Sequence, residues 1–342
     1  VKILVTGATG FLGLHLVEKL LAQGHHVRAL ARSKPTHPVL QRTEYIQGDL
    51  KDREAVRAAL QGVEAVYHLA GLVSFRPRDG RKMFELHVDC TRELLRDIRD
   101  SGQKPRIILA STSGTIAVSK RERVGTEADD YPITVVGKWP YYLSKIYEEK
   151  LALEFCRKHQ LPLVVLNPSL LMGPGDDRLS STWTVAKFLG GELPSLPGGG
   201  MSFVDARDAA DAFVAALTKG ELYGRHLLGV NMTMDEFFGR ISRLSGVRPP
   251  WLKLPSTANI LGAQLLERLA DWRGTEAALD PQEVEIGEHW FWLDASKAEA
   301  ELGFRARDAQ ETLHDTVQYI LARMPPRSMP GEKGRLWALR NG

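Results

Sequence analysis

KILVTGATGFLGLHLVEKLLAQG, residues 2–24, holds a strand, a glycine turn and a helix in immediate succession. KILVT (2–6) is apolar without alternation, the pattern of a strand covered on both faces. FLGLHLVEKLLAQG (11–24) repeats its apolar residues at helical spacing and closes on Gly24, which reads as an amphipathic helix with a glycine stop. Between them Gly7, Gly10 and Gly13 stand three apart. Gly7 lets the chain turn sharply, Gly10 lets backbone approach a pyrophosphate, and Gly13 lets the helix pack near the sheet. The helix N-terminus then offers free N–H groups and a positive dipole end to phosphate. The stretch is therefore read as a dinucleotide-binding loop, the alternative being a tight turn that binds nothing.

The same alternation continues outward. Strands are expected at HVRALA (26–31), YIQGDL (45–50), AVYHLAG (65–71), RIILAST (106–112) and LPLVVLNPS (161–169). Helices are expected at 52–62 with Asp52 as N-cap, at 84–102, and from about Tyr141 to His159. Buried strands separated by helices require a parallel sheet with both faces covered, and right-handed crossovers make it doubly wound. The expected fold is α/β: a Rossmann domain over 1–168, with a smaller mixed α/β substrate lobe over 169–200 and 231–325. Residues 201–230 are expected to return to the first domain, through a helix at 206–220 and a strand at HLLGV (226–230). Residues 326–342 form a basic Pro/Gly-rich tail.

The chain has 342 residues, 25% charged and 43% hydrophobic, with a formal charge of +3. That balance is ordinary for a soluble globular protein and too weakly basic to argue for nucleic acid. Cys90 and Cys156 fall in separate helical patterns and read as reduced, partly buried thiols rather than a disulfide framework or a metal site. No apolar run approaches the roughly 20 residues that span a bilayer. The strand beginning at Lys2 leaves no room for a leader, so a cytoplasmic location is expected. The segment 258–272 is amphipathic and is read as a lobe helix facing the core rather than a membrane contact.

Chemistry concentrates at three places. ALARSKP ends the second strand without an acidic residue, and Arg32 stands where the cofactor's adenosine ribose edge should lie. Arginine is shaped to fork a phosphate, so NADP(H) is preferred and NAD(H) remains open. A solvated basic turn is the plain alternative for Arg32. Asp49 is placed to accept from an adenine amino group, or to cap a helix. In WPYYLSK (139–145), Tyr141 and Lys145 are four apart and share a helix face, while Tyr142 turns toward packing with Ile146. The fifth strand delivers Ser111, Thr112 and Ser113 to the carboxyl edge of the sheet, where doubly wound proteins bind ligands. A phenol whose acidity is raised by Lys145 and a nicotinamide cation can protonate the alkoxide left by hydride transfer, with Thr112 holding the carbonyl oxygen.

TGATGFLG, GDLKD, VYHLAG, ILASTSGT, YYLSK and LNPSLLMGPGD together resemble the extended short-chain dehydrogenase/reductase superfamily, in its dihydroflavonol-reductase-like and hopanoid-associated epimerase-like branch. The resemblance covers about residues 1–230, with a late echo in FWLDASKAEAELGF (291–304). It implies catalytic roles for Thr112, Tyr141 and Lys145. It implies a cofactor site of Gly7, Gly10, Phe11, Leu12, Gly13, Asp49, Leu50, Leu69, Ala70, Gly71 and Pro168, with Tyr141 and Lys145. It also implies a homodimer packed through the helices at 84–102 and 141–159. His87 stands where many members carry Asn and is given no catalytic role. The loop 74–82 is expected near the mouth. Five late tryptophans (Trp251, Trp272, Trp290, Trp292, Trp337) favour an apolar or aromatic carbonyl substrate. The leading expectation is an NADP(H)-dependent oxidoreductase. The alternatives are an NAD-dependent nucleotide-sugar epimerase or dehydratase, for which Arg178 and Arg207 are the candidate pocket cations, and a non-catalytic nucleotide-sensing scaffold.

Overall fold

The computed structural model describes residues 1–250, 256–273 and 280–324. The tail at 326–342, with Trp251 and Trp337, lies outside the described residues, as does the side chain of Trp272. In chain order the first part runs β1 (Lys2–Thr6), α1 (Phe11–Ala22), β2 (His26–Ala31), β3 (Glu44–Gln47), α2 (Arg53–Leu60) and β4 (Ala65–His68). There follow α3 (Gly80–Phe84), a π-helical turn (Glu85–Asp89), α4 (Cys90–Asp100), β5 (Arg106–Ala110), β6 (Val124–Gly125), α5 (Ile133–Val136), α6 (Pro140–His159) and β7 (Leu163–Pro168). Six of these strands form a parallel sheet in the order β3-β2-β1-β4-β5-β7, with Ile3 registered against Val27 on one side and Ala65 on the other.

Strand parity explains why the runs are apolar throughout. Ile3, Val5, Tyr67 and Ile108 face the core under α1, whereas Leu4, Val66, Ile107 and Leu109 face the core under α2, α4 and α6. Each fully buried Val, Leu or Ile contributes about 1.5–3 kcal/mol, so either register places a charge at high cost. An arginine from the sheet ties down a helix end. Arg28 of β2 donates to the carbonyls of Ala58, Ala59 and Gln61 at the end of α2, at 3.2, 2.7 and 3.0 Å.

The remainder comprises β8 (Leu170–Met172), α7 (Trp183–Gly190), β9 (Gly200–Asp205), α8 (Ala206–Ala215), β10 (Arg225–Leu228), β11 (Val230–Thr233), α9 (Met234–Ser245), α10 (Ser256–Arg273), α11 (Pro281–Gly287), β12 (Trp292–Leu293), α12 (Ser296–Leu302) and α13 (Ala309–Leu321). α8 and β10 return to the first part, β10 as the seventh parallel strand beside β7. β8, β9 and β11 make a separate three-stranded sheet. Its surroundings form a second core with α7, α9 and α13.

Three expectations change. The helix at 84–102 is interrupted by the π turn, so it is two helices and a widened turn. The strand at 226–230 breaks at Gly229 into β10 and β11, which belong to different sheets. On α10, Ala263 is buried, but Leu261 and Leu265 are 64% and 60% exposed, so the core-facing expectation for this helix holds only in part. No helix among the described residues is long and apolar enough to cross a membrane.

Candidate active site

The carboxyl ends of β1, β4, β5 and β7 open into a cleft of about 920 Å³. At its floor Gly7 adopts φ +75°, and a Cβ there would lie 2.6 Å from the Ala70 nitrogen. A Cβ on Gly13 would lie 2.2 Å from the Gly7 carbonyl oxygen, so this glycine lets α1 close on the loop itself rather than on the sheet. The N-cap of α1 is Gly10, no side chain caps the helix, and its first turn carries no acidic residue. Its leading N–H groups are thus left for an anion.

Across the cleft from this loop stand Thr112, Tyr141 and Lys145. Pro140 at the first position of α6 sets the start of that helix. Tyr141 and Lys145 then share the face turned to β5, and the Lys145 ammonium donates to the Ala110 carbonyl at 2.7 Å. The Thr112 hydroxyl acts to lower the Tyr141 phenol, and its Oγ1 accepts from the Gly114 N–H at 3.3 Å. Ser111 is not available for this work, because its hydroxyl is bonded to the buried carboxylate of Glu149. Glu149 also accepts from Thr115 at 3.0 Å, Asn167 at 2.8 Å and Tyr131 at 3.1 Å. It thereby welds α6 to the ends of β5 and β7.

The expectation joins Lys145 with a nicotinamide cation in lowering the phenol; the protein's own side chains, by themselves, raise it. Burial pushes Tyr141 up to about 12; the Thr112 hydrogen bond opposes this and the charge of Glu148 adds to it. Glu148, 1% exposed, is ion-paired with Lys145 one turn along the helix. His87 is fully buried beside this pair. Its Nε2 accepts from the Leu72 N–H at 3.0 Å, so Nδ1 carries the proton and donates to Ser144 at 2.8 Å. Ser144 in turn donates to the Tyr141 carbonyl at 2.8 Å. Burial, seconded by the Lys145 charge, lowers His87 to about 2, which leaves it a neutral brace.

Residues 3–228 match the NAD dependent epimerase/dehydratase family. The chain belongs to that family. It is 32% identical over 258 residues to sterol demethylase protein B of Methylococcus capsulatus, covering 74% of this chain and 77% of that one. It is also 32% identical over 239 residues to cinnamoyl-CoA reductase 1 of Oryza sativa, covering 65% and 69%. Among solved structures, gox2253 superposes with a TM-score of 0.80 at 27% identity, over 94% of this chain and 98% of that one. Within the epimerase/dehydratase family this chain is an enzyme with a seven-stranded parallel sheet.

Most of the residues singled out in the sequence meet at this family's cleft. Gly7, Gly10, Phe11, Leu12, Gly13, Arg32, Leu69, Gly71, Thr112, Tyr141, Lys145 and Pro168 all line it. Arg32 is exposed at its edge, with Ser33 and Lys34. Three residues do not line it. Asp49 accepts from the Lys51 N–H at 3.0 Å in a local turn; Leu50 is buried in the core. The Ala70 N–H points to Thr6 at 3.4 Å. Helix capping goes to Asp52, whose carboxylate accepts from Glu54 and Ala55.

The residues fit a dinucleotide. The glycine cradle is closed to a Cβ at Gly7 and Gly13, and no side chain caps the start of α1; Ser169, beside Pro168 on the cleft wall, has a buried Oγ that lies against Gly229 without a hydrogen-bond partner. Ser169 was missed by motif reading, since a hydroxyl after a proline carries no signal of its own. The substrate side is aromatic, with a different membership from the one expected. Phe75, Tyr142, Trp183 and Phe291 line it, with Phe75–Tyr142 and Tyr142–Phe291 centroids at 6.3 and 5.7 Å. Tyr142 therefore both packs and faces the cleft. Trp290 and Trp292 instead pack on each other against Gly200. Arg178 lines the cleft, whereas Arg207 is taken up by Asp205 and Asp315.

Proposed function

We propose that this enzyme is an NADP(H)-dependent reductase of an apolar or aromatic ketone or aldehyde. The observation that carries the reading is the meeting of Thr112, Tyr141 and Lys145 with an aromatic wall in the cleft that the glycine loop floors. The bound nicotinamide supplies the hydride. Gly7, Gly10, Gly13 and the start of α1 would hold its diphosphate, and Arg32 would take the 2′-phosphate. Thr112 donates to the substrate carbonyl oxygen as charge develops there, and Tyr141 passes its phenolic proton to the same oxygen. A phenol held near 12 keeps its proton at neutral pH. An alkoxide is a far stronger base than a phenolate, so the transfer is downhill. The name of the cinnamoyl-CoA reductase relative points to reduction.

The test is an NADPH-oxidation assay over a panel of apolar and aromatic carbonyls, with NADH as the comparison. Turnover with NADPH is expected, and Tyr141→Phe should lower it by about 10²–10⁴-fold while NADPH still binds. Purification with tightly held NAD and no NADPH consumption on any carbonyl would favour the nucleotide-sugar alternative, with Arg178 as a diphosphate contact.

A further inference from the structure

Glu148, the ion-pair partner of Lys145, takes no part in the reaction above, yet a series of hydrogen bonds converges on it. The Ala70 N–H points to Thr6 Oγ1 at 3.4 Å, and Thr6 is bonded to His68 Nδ1 at 2.7 Å. His68 Nε2 is bonded to Thr91 Oγ1 at 2.8 Å, and Thr91 donates to Glu148 Oε1 at 3.1 Å. Because Thr91 spends its proton on the carboxylate, it accepts from His68; His68 Nδ1 therefore accepts from Thr6. Every donor in the row points toward Glu148, and Lys145 closes on its other oxygen. With Glu148 ionised in its pair with Lys145, each hydroxyl and ring N–H of the row has one place to give its proton. The row ends inside the protein at β1, with Thr6 1% exposed, and gives no route to solvent.

We propose that Glu148 is a built-in counter-ion of Lys145, a positioning residue that takes up the ammonium's charge and keeps Tyr141 a protonated donor. This rests on the reductase reading, in which Tyr141 gives a proton. The groups facing the pair come from six elements. α6 itself contributes Tyr141 and Glu149, the latter committed to Ser111, Thr115, Asn167 and Tyr131. The end of β5 contributes the Ala110 carbonyl and, just beyond it, Thr112; β4 contributes His68; the π turn and α4 contribute His87 and Thr91; β1 contributes Thr6. Both imidazoles are neutral, lowered by burial first and Lys145 second. The Glu148 carboxylate acts to raise the phenol. Burial likewise pushes Glu148 upward, and the Lys145 charge opposes that. Removing the carboxylate deletes a negative charge near Tyr141 and frees a positive one. Both changes favour phenolate.

The experiment labels the eight tyrosines with ¹³C at Cζ and follows their titration by NMR, with Tyr141→Phe assigning the resonance. In the wild-type chain the Tyr141 signal should hold its phenol position between about pH 7 and 10. In Glu148→Gln its midpoint should fall by about 1–3 pH units. An unchanged or raised midpoint overturns the inference. The double variant Lys145→Met/Glu148→Leu, which replaces a buried ion pair by apolar groups, approaches it from the other side. A pair that cancels leaves its midpoint within about half a unit of wild type, whereas a midpoint that rises further shows that Lys145 acted as a free cation and sinks the proposal. These readouts need no substrate. The inference can therefore fail while the Tyr141→Phe turnover test succeeds, and the reverse.

Discussion

Tyr141 was legible because a helix puts residues four apart on one face, and Lys145 follows at that interval. What the interval did not reveal is the charge that Lys145 meets. Glu148 and Glu149 lie three and four residues past the lysine, also on its face, but adjacent acidic residues in a helix are usually solvated, so nothing marked them as buried. Arg32 was legible from the missing acidic residue at the end of β2. It sits exposed at the cleft edge, where a charge-assisted contact to a 2′-phosphate is worth about 1.5–3 kcal/mol. Arg32→Ala should therefore weaken NADPH by about 10–100-fold and leave NADH unchanged, read by fluorescence titration. Equal loss for both nucleotides would remove its phosphate role. Ser169→Ala addresses the orphaned hydroxyl. The melting temperature of the protein should hold or rise by thermal denaturation, because an unsatisfied buried group has gone, and a fall would show that the hydroxyl has a partner.

At the level of elements, α6 announces itself at both ends. Pro140 opens it, Arg157, Lys158 and His159 complement its last turn, and Gln160 closes it in the left-handed region at φ 53°. The π turn has no such signature. FELHVDCTRELL reads as one continuous helix, and the extra residue per turn is chosen by packing against α3 and α6, which a local pattern does not record. That turn carries His87, and its neighbour α4 carries Thr91, the partner of His68. The two neutral imidazoles give the fold a pH dependence of known sign. His68 is lowered to about 3 and His87 to about 2, against about 6.5 in an unfolded chain. Between those values the unfolded state binds more protons, so stability falls as pH drops below about 6.5, by up to about 1.4 kcal/mol per pH unit for each ring. Urea denaturation should show a loss of about 2–4 kcal/mol from these rings between pH 7 and pH 5. His87→Asn should be less stable at pH 7 but show roughly half that dependence. An equal pH dependence in the variant would mean that His87 is not neutral in the folded chain.

Across the whole molecule, the parallel sheet could be read because each strand is apolar on both faces and each crossover helix is bounded by a cap or glycine. The small sheet could not. Its strands are short, β9 pairs with a segment about 30 residues later, and its partners are fixed by tertiary contact alone. The attachment of the late chain was equally invisible, since it rests on charges that look like solvated surface in sequence. Asp205 caps α8 and holds Arg207, which reaches Asp315 on α13 at 2.8 Å. Arg307, just before α13, grips Asp208 of α8 through Nη2 at 2.7 Å and Nε at 3.0 Å, and its backbone N–H adds a third contact at 2.8 Å. Asp208 is 6% exposed, so its carboxylate depends on this arginine. Removing one partner of a buried pair typically costs about 3–5 kcal/mol; with Arg307 itself half-buried, Arg307→Ala should cost about 2–3 kcal/mol by urea denaturation. The glycine loop and Tyr141 lie on other elements, so NADPH affinity should stay within about twofold. A variant as stable as wild type would show that α13 is held by its apolar face, through Leu313, Val317 and Ile320, and that the arginine clamp adds nothing.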